Sequence, residues 1–236
     1  VNPRASRTVP YISKVSGVPM IDLATRVMQG EPLRSLGYGT GLYKNSPYVA
    51  VKVPVFSFEK LSDINSLLGP EMKSTGEVLG IGKTLNEALF KGLVAAGFSL
   101  EKKYGGVYIS VDPRERSELL QIAKKFYDAG LKIYASPENC ETIGHLGIDV
   151  QVIHQPEIIP LLEGEKIDYI VYTNSGDPKD IADYMKIHRR AVQLSIACLT
   201  SLDTANALAD IILSRFNESN TELVDIGNLR TSKQKM

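Results

Sequence analysis

The sequence has few of the residues and segments that mark secreted, membrane-spanning or metal-binding proteins. Its two cysteines, Cys140 and Cys198, lack the spacing of a metal-binding motif, and its three histidines are scattered. No apolar run reaches the roughly eighteen residues needed to span a bilayer, and no apolar signal-peptide segment follows Val1. We therefore expect free thiols in a reducing cytoplasm, no structural metal and no membrane partner.

The charges balance overall but are unevenly distributed along the chain. Residues 1–104 carry 13 Lys and Arg against 8 Asp and Glu, whereas residues 105–236 carry 14 against 19. The positive excess of the first part suits an anion such as a nucleotide, although ordinary solvated charge explains it equally well. No clustered basic patch is present, so we expect no nucleic-acid partner.

One stretch is unusually rich in glycine and charge, Leu68-Gly-Pro-Glu-Met-Lys-Ser-Thr-Gly-Glu-Val-Leu-Gly-Ile-Gly-Lys-Thr84. We expect it to bury little by itself and to lead into a helix over 85–96, because Thr84 and Glu87 have the spacing of a capping box. Its last three residues resemble the end of a phosphate-binding P-loop. That motif requires a glycine where this chain has Glu77, whose carboxylate would repel a phosphate, so a P-loop is rejected.

The first hundred residues contain two further predicted elements and a polar opening. Met20–Met28 has the spacing of a short helix, and Tyr48–Phe56 alternates valines as a strand does. Asn2 and Arg4 are predicted to share one face at the end of a strand. With Arg7, they suit forked contacts to phosphate oxygens, the alternative being an ordinary surface loop.

From Gly106 onward the pattern becomes a strand–helix repeat. Helix starts are predicted at Asp112, Asp177 and Asp203, and the first two carry proline at the next position. The repeat predicts an α/β domain with a five-stranded parallel sheet flanked by helices. The predicted strands are Val107–Val111, Leu131–Ala135, Val150–Ile153, Tyr169–Tyr172 and Ala197–Leu199.

Hydroxyl, amide and carboxylate side chains follow the carboxyl ends of these strands. Open α/β sheets bind ligands at that edge, which predicts a small polar or phosphorylated ligand. The same residue types also belong at helix N-termini for capping alone, and the sequence does not separate the two explanations. The residues concerned are Asp112, Ser136-Pro-Glu-Asn139, His154-Gln155, Thr173-Asn-Ser-Gly176 and Thr200-Ser201.

Three motifs in order resemble one region of a known family. Residues 68–80, together with Val1-Asn-Pro-Arg-Ala-Ser-Arg-Thr-Val-Pro10 and Tyr48-Val-Ala-Val-Lys-Val-Pro-Val-Phe56, are similar to the large subunit of carbamoyl phosphate synthetase. The matching region lies near the end of its second ATP-grasp unit. The resemblance is strong over residues 1–103 and looser over 104–216, where the element order is similar to the methylglyoxal-synthase-like regulatory domain of that subunit.

The resemblance implies an ATP-dependent ligase. It makes carbamoyl phosphate from bicarbonate, glutamine-derived ammonia and two ATP, and its second ATP-grasp unit phosphorylates carbamate. Asn2 matches a ligand of the Mg²⁺ or Mn²⁺ that bridges the ATP phosphates, and Arg4 and Arg7 match arginines that steady phosphate and carbamate. The glutamate that binds the same metal ion in the family would precede Val1.

We therefore expect a C-terminal fragment that is inactive by itself and binds neither ATP nor metal alone. Its expected partners are a glutaminase small subunit, the missing N-terminal part of the large subunit and a small-molecule effector. A homo-oligomer and the choice between arginine and pyrimidine biosynthesis are left open.

The resemblance also implies domain bounds and an effector site. Residues 1–103 match the end of the ATP-grasp domain and 104–216 the regulatory domain, with 217–236 as a loosely held polar tail. Arg116 and Gln155 replace lysines of the family, and Ser136-Pro-Glu-Asn139 replaces Thr-x-Gly-Thr. Arg116 can still pair with phosphate, but Gln155 is neutral, Glu138 adds a negative charge and Pro137 removes a backbone donor, so UMP and IMP are expected to bind weakly or not at all. Val53 replaces a glutamate of ornithine-activated members, which leaves the identity of the effector open. The residues at effector-site places are Ser110, Arg116, Ser136, Asn139, Gln155, Asn174 and Thr200.

Two other functions remain open from the sequence. One is a stand-alone module that binds a small ligand and regulates a partner chain. The other is a lyase similar to methylglyoxal synthase, although residues 106–216 lack the Gly-Gly-Asp context of the catalytic aspartate of that enzyme.

Overall fold

A computed structural model describes residues 4, 6–56, 72–101, 103–173, 177–227 and 229. They divide into two compact units. The first unit comprises residues 1–53, 77–95 and 217–236, and the second comprises 54–76 and 96–216. The predicted bounds at 103 and 216 stay a prediction. No helix among the described residues has the length and apolar character needed to cross a membrane.

The described residues of the first unit form three helices and a two-stranded antiparallel sheet. The predicted helix α2 spans Met20–Met28, and the predicted strand β1 spans Val49–Val55. Arg4 differs from the expectation of a strand end, because it lies in a bend, and a helix begins at Thr8; residues 1–3 lie outside the described part of the chain. The remaining elements are α1 (Thr8–Ser16), β2 (Gly76–Gly82) and α3 (Leu85–Ala95).

Strand β2 corrects the expectation that the glycine-rich stretch buries little. Gly80, Ile81 and Gly82 are buried, because the strand packs directly against the backbone of α3. A Cβ at Gly80 would overlap the Ala88 carbonyl oxygen and lie 2.7 Å from the Gly92 nitrogen. The glycines therefore permit a close strand–helix approach. Residues 68–71 lie outside the described part of the chain.

The carboxyl-terminal segment is hydrogen-bonded within the first unit at Glu222. The backbone N–H of Glu222 donates to the Glu87 carboxylate over 3.0 Å, and the Lys91 ammonium bonds both that carboxylate and the Glu222 carbonyl. Burial alone would raise the pKa of Glu87. The bonds from Lys91 and from the Glu222 and Lys83 backbones outweigh burial and lower the pKa to about 2.

The second unit contains the predicted five-stranded parallel sheet with helices on both faces, and the predicted fold class is confirmed. The strand order is β5-β4-β3-β6-β7, so β3 is central. Val107 of β3 pairs with Ile133 of β4 and with Tyr169 of β6. The strands are β3 (Gly106–Ser110), β4 (Lys132–Ala135), β5 (Val150–Val152), β6 (Tyr169–Tyr172) and β7 (Ala197–Leu199).

Helices cover both faces because both sets of alternating strand residues are apolar. On one face, Tyr108 and Ile170 pack with Tyr184 and Ile187 of α7 in a single buried cluster. On the other face, Phe126 of α4 stacks on Tyr169, with ring centroids 6.5 Å apart. The helices are α4 (Arg116–Asp128), α5 (Pro137–Gly144), α6 (Ile158–Glu163), α7 (Pro178–Gln193) and α8 (Leu202–Ser214).

A single carboxylate organises the entry of the chain into β3. Asp168 lies just before β6, and its two oxygens accept from the backbone N–H groups of four consecutive residues, Lys103 to Gly106. The Asp168 N–H in turn donates to the Gly106 carbonyl over 2.8 Å. The segment before the central strand is therefore held by an acid that lies 62 residues further along the chain than Gly106.

Candidate functional site

The strand order places the candidate site at the carboxyl edge of the five-stranded sheet. The order reverses between β3 and β6, because β4 and β5 extend the sheet from one side of β3 while β6 and β7 extend it from the other. Ligands of open α/β sheets bind at such a reversal. Ser110, Ser136, Gln155 and Thr200 lie at or just after strand ends of this edge, whereas Asn174 lies outside the described residues.

Asn139 positions this edge through its fully buried side chain. Its Oδ1 accepts a hydrogen bond from the Val111 N–H, and its Nδ2 donates to the Val111 carbonyl over 3.1 Å. The amide therefore reaches back across 28 residues to fix the loop after the central strand. Its polar atoms bond protein backbone, so the geometry favours a positioning role over direct contact with a ligand.

Asp112 is the strongest charged feature of the edge. Its buried carboxylate accepts from the Arg114 backbone N–H over 2.8 Å and from Nε and Nη2 of Arg114, each over 2.9 Å. These bonds, of which those from the Arg114 side chain have the largest effect, lower the pKa of Asp112 to about 2. The carboxylate therefore stays ionised at neutral pH. The backbone N–H of Asp112 donates to Thr173 Oγ1 over 2.9 Å and so joins the two strands at the reversal.

Asp112 is predicted to follow a strand end of the ligand-binding edge and to begin a helix, but the resemblance does not place it among the effector-site residues. Its position directly after the central strand was the available signal, because the loop after that strand lies at the reversal of strand order. Thr173 follows the neighbouring strand and carries the same signal.

Arg116 and Glu138 meet on the exposed side of the edge. Arg116 is the first residue of α4 and Glu138 lies in the first turn of α5. Arg116 Nη2 and Glu138 Oε2 are 3.5 Å apart, with 44% and 69% of the two side chains exposed. The predicted phosphate-binding cation therefore has a carboxylate of the same chain beside it.

Thr200 also lines a separate cavity of about 440 Å³ in the second unit. The cavity lies beside α7 and β7, and its walls include Tyr184, His188 and Cys198. Burial lowers the pKa of His188 and raises the pKa of the Cys198 thiol to about 12. His188 is thus favoured as the neutral imidazole and Cys198 as the unreactive thiol.

In the first unit, the predicted phosphate-binding residues of the opening include two arginines that the structure describes. Arg4 and Arg7 are both solvent-exposed, and Arg7 immediately precedes α1. Asn2, the predicted metal ligand, lies outside the described residues. Among the residues that the structure does describe, no group of three His, Cys, Asp or Glu side chains is arranged to hold a metal ion.

The start of α3 gives a physical reason for rejecting a P-loop. The Glu87 carboxylate accepts from the Lys83 backbone N–H over 2.8 Å, and Thr84 Oγ1 accepts from the Glu87 N–H over 3.2 Å. A carboxylate therefore occupies the helix N-terminus where a P-loop would hold a phosphate. The capping pair predicted from the sequence is present in this form.

No protein-family model matches the chain. Curated relatives match it over nearly its full length, and they are carbamoyl phosphate synthase large chains. The protein of Clostridium botulinum strain Langeland is 44% identical over 233 residues, or 97% of this chain and 22% of the relative. That of Clostridium beijerinckii is 44% identical over 224 residues, and that of Lachnoclostridium phytofermentans is 42% identical over 234.

The resemblance inferred from the sequence is confirmed by these relatives. The chain spans about a fifth of the length of the curated relatives that it matches. It is therefore similar to one part of a carbamoyl phosphate synthase large chain.

Proposed function

We propose that this chain is the C-terminal fifth of a carbamoyl phosphate synthase large chain. The observation that carries the proposal is 44% identity over 97% of the chain. The whole enzyme would use ATP to make carbamoyl phosphate from bicarbonate and glutamine-derived ammonia in the cytoplasm. Its partners would be a glutaminase small subunit and the N-terminal part of the large chain.

The first unit would supply part of the carbamate-phosphorylating site. Arg4 and Arg7 are exposed and available for forked contacts to phosphate and carbamate oxygens. Asn2, with a glutamate upstream, would hold the Mg²⁺ or Mn²⁺ that neutralises the ATP phosphates. The chain spans about a fifth of the length of its relatives, and the parts that grip ATP would lie in the rest of the large chain, so the chain alone would have no synthetase activity.

The second unit would be the regulatory domain, with its effector at the carboxyl edge. Its parallel sheet reverses order between β3 and β6, and polar residues follow the strand ends there. Ser110, Arg116, Ser136, Gln155, Asn174 and Thr200 are proposed to face the effector. Asn139 would hold the Val111 backbone beneath it.

A chimeric large chain tests the synthetase role. In the Clostridium botulinum large chain, the matching region would be replaced by this sequence and the small subunit added. We expect carbamoyl phosphate formation, detected by a coupled assay, while the 236-residue chain alone gives none. Arg4→Ala in the chimera should lower the rate about 100-fold, because a donor to transferring phosphate is removed.

Arg34→Ala is the matched control, since Arg34 is an exposed arginine of the same unit that the proposal gives no role. Its rate should equal that of the unaltered chimera. A folded chimera that binds the small subunit yet forms no carbamoyl phosphate would contradict the proposal. So would synthesis by the isolated chain.

A lyase similar to methylglyoxal synthase is the second candidate, and it takes its support from the similar order of elements. The buried Asp112 at the carboxyl edge is paired with Arg114 and has a pKa of about 2, so it is a poor base at neutral pH. We therefore expect no methylglyoxal from dihydroxyacetone phosphate. A direct turnover assay measures this, and detectable product would revive the lyase.

A further inference from the structure

Each arginine described at the carboxyl edge near β3 has a carboxylate of the same chain beside it. Arg114 makes two side-chain hydrogen bonds to the buried Asp112. Arg116 lies 3.5 Å from Glu138, which projects from the start of α5. A phosphate group brings nearly two negative charges, so at this edge it would have to compete with two carboxylates already in place.

We propose that Glu138 serves as a built-in anion that excludes phosphorylated ligands from the carboxyl edge, which then takes a small polar ligand without a phosphate group. The proposal rests on the effector role given above to this edge. Glu138 is the specificity-determining residue in it, because its carboxylate both occupies Arg116 and repels a second anion.

Other groups at the carboxyl edge are also poorly suited to a phosphate. Pro137 has no backbone N–H, and the Ser136 N–H donates to the Ile109 carbonyl over 3.1 Å. The side-chain oxygen and nitrogen of Asn139 are both hydrogen-bonded to the Val111 backbone. Gln155 is exposed and offers only a neutral donor. The loop after β4 therefore presents a carboxylate in the place where a phosphate cradle would need donors.

Removal of the carboxylate should open the edge to phosphate. The test titrates inorganic phosphate and UMP into the full 236-residue chain, with amide NMR shifts at Ser110, Ser136 and Thr200 reporting where binding occurs. Glu138→Gln should tighten UMP binding about fivefold, which corresponds to the upper end of the free energy that an exposed ion pair contributes. Adding Gln155→Lys should tighten it about tenfold more, because a charge-assisted bond replaces a neutral one.

Glu141→Gln is the control, since Glu141 is an exposed acid on the same helix that lies outside the edge. It should leave UMP binding as weak as in the unaltered chain. Equal UMP affinity in the unaltered chain and the double variant overturns the proposal, whether both bind or neither does. If the unaltered chain binds UMP at these amides at about 10 μM or tighter, the exclusion fails while the effector role survives. Saturable binding only at other amides defeats both.

Discussion

Replacement of Gly80 with alanine is expected to unfold the β1–β2–α3 part of the first unit. The added Cβ would overlap the Ala88 carbonyl oxygen and lie 2.7 Å from the backbone nitrogen of Gly92. Both neighbours are backbone atoms of a helix, so neither can move away by a change of rotamer. Gly92 is itself confined, because a Cβ there would lie 2.7 Å from Cγ2 of Val53. We expect a loss of more than about 3 kcal/mol.

Hydrogen exchange resolved by residue measures this effect. In the Gly80→Ala variant, the amides of β1, β2 and α3 should lose protection while those of the five-stranded sheet keep theirs. Gly39→Ala is the matched control in the same unit, because a Cβ at Gly39 meets nothing within 4 Å. Retained protection in the first unit of the Gly80→Ala variant would contradict this expectation, because it would mean that β2 and α3 can move apart at little cost.

The contrast between the two glycines explains why the burial of residues 80–82 was not predicted from the sequence. A glycine-rich, charged run is typical of loops, and nothing local distinguishes Gly80 from Gly39. The difference comes from α3, which lies against Gly80 and leaves Gly39 in open space. A close backbone approach depends on both partners, so a pattern read along one of them does not predict it.

The strand–helix repeat could be predicted because its signals are local. Short apolar runs marked β6 and β7 with their observed limits, Tyr169–Tyr172 and Ala197–Leu199, and the Asp177-Pro178 helix start follows the first of them. Asp177 caps α7 as expected, through a 2.8 Å bond from the Lys179 N–H. Each signal lies within a few residues of the structure that it specifies.

The site was harder to predict because its key contacts join distant residues. The resemblance places Asn139 among the effector-site residues, but it does not predict that the Asn139 amide reaches Val111 across the β3–β4 edge. Glu138 follows the end of β4 in the sequence, but its proximity to Arg116 depends on how α4 and α5 begin at adjacent strand ends. Only the sheet order brings such residues together.

Asp168 is the clearest case of a non-local role that the sequence does not reveal. It lies between Ile167 and Tyr169 at the start of an ordinary apolar strand. In the fold, one oxygen accepts from the N–H groups of Lys103 and Tyr104 at 3.0 and 2.9 Å, and the other accepts from Gly105 and Gly106. Four consecutive amides therefore converge on one carboxylate.

Asp168→Ala should accordingly destabilise the second unit by about 2–4 kcal/mol. The substitution removes the acceptor of all four amides, and bonds to a charged group contribute more than neutral ones. Solvent reaches this partly buried segment, so the loss should stay below the sum of four separate bonds. Urea denaturation followed by far-UV circular dichroism, together with exchange rates of the β3 and β6 amides, measures the change.

Two further variants separate the carboxylate from the mere presence of a side chain. Asp168→Asn keeps one acceptor oxygen but turns an amide NH₂ toward N–H donors, so it should lose at least half of the alanine effect. Asp149→Asn, at an exposed acid of the same unit, should change stability by less than about 0.5 kcal/mol. If Asp168→Asn were as stable as the unaltered chain, the negative charge would be irrelevant. The convergence of four amides would then reflect the path of the chain alone, and the acid would not hold the entry to β3.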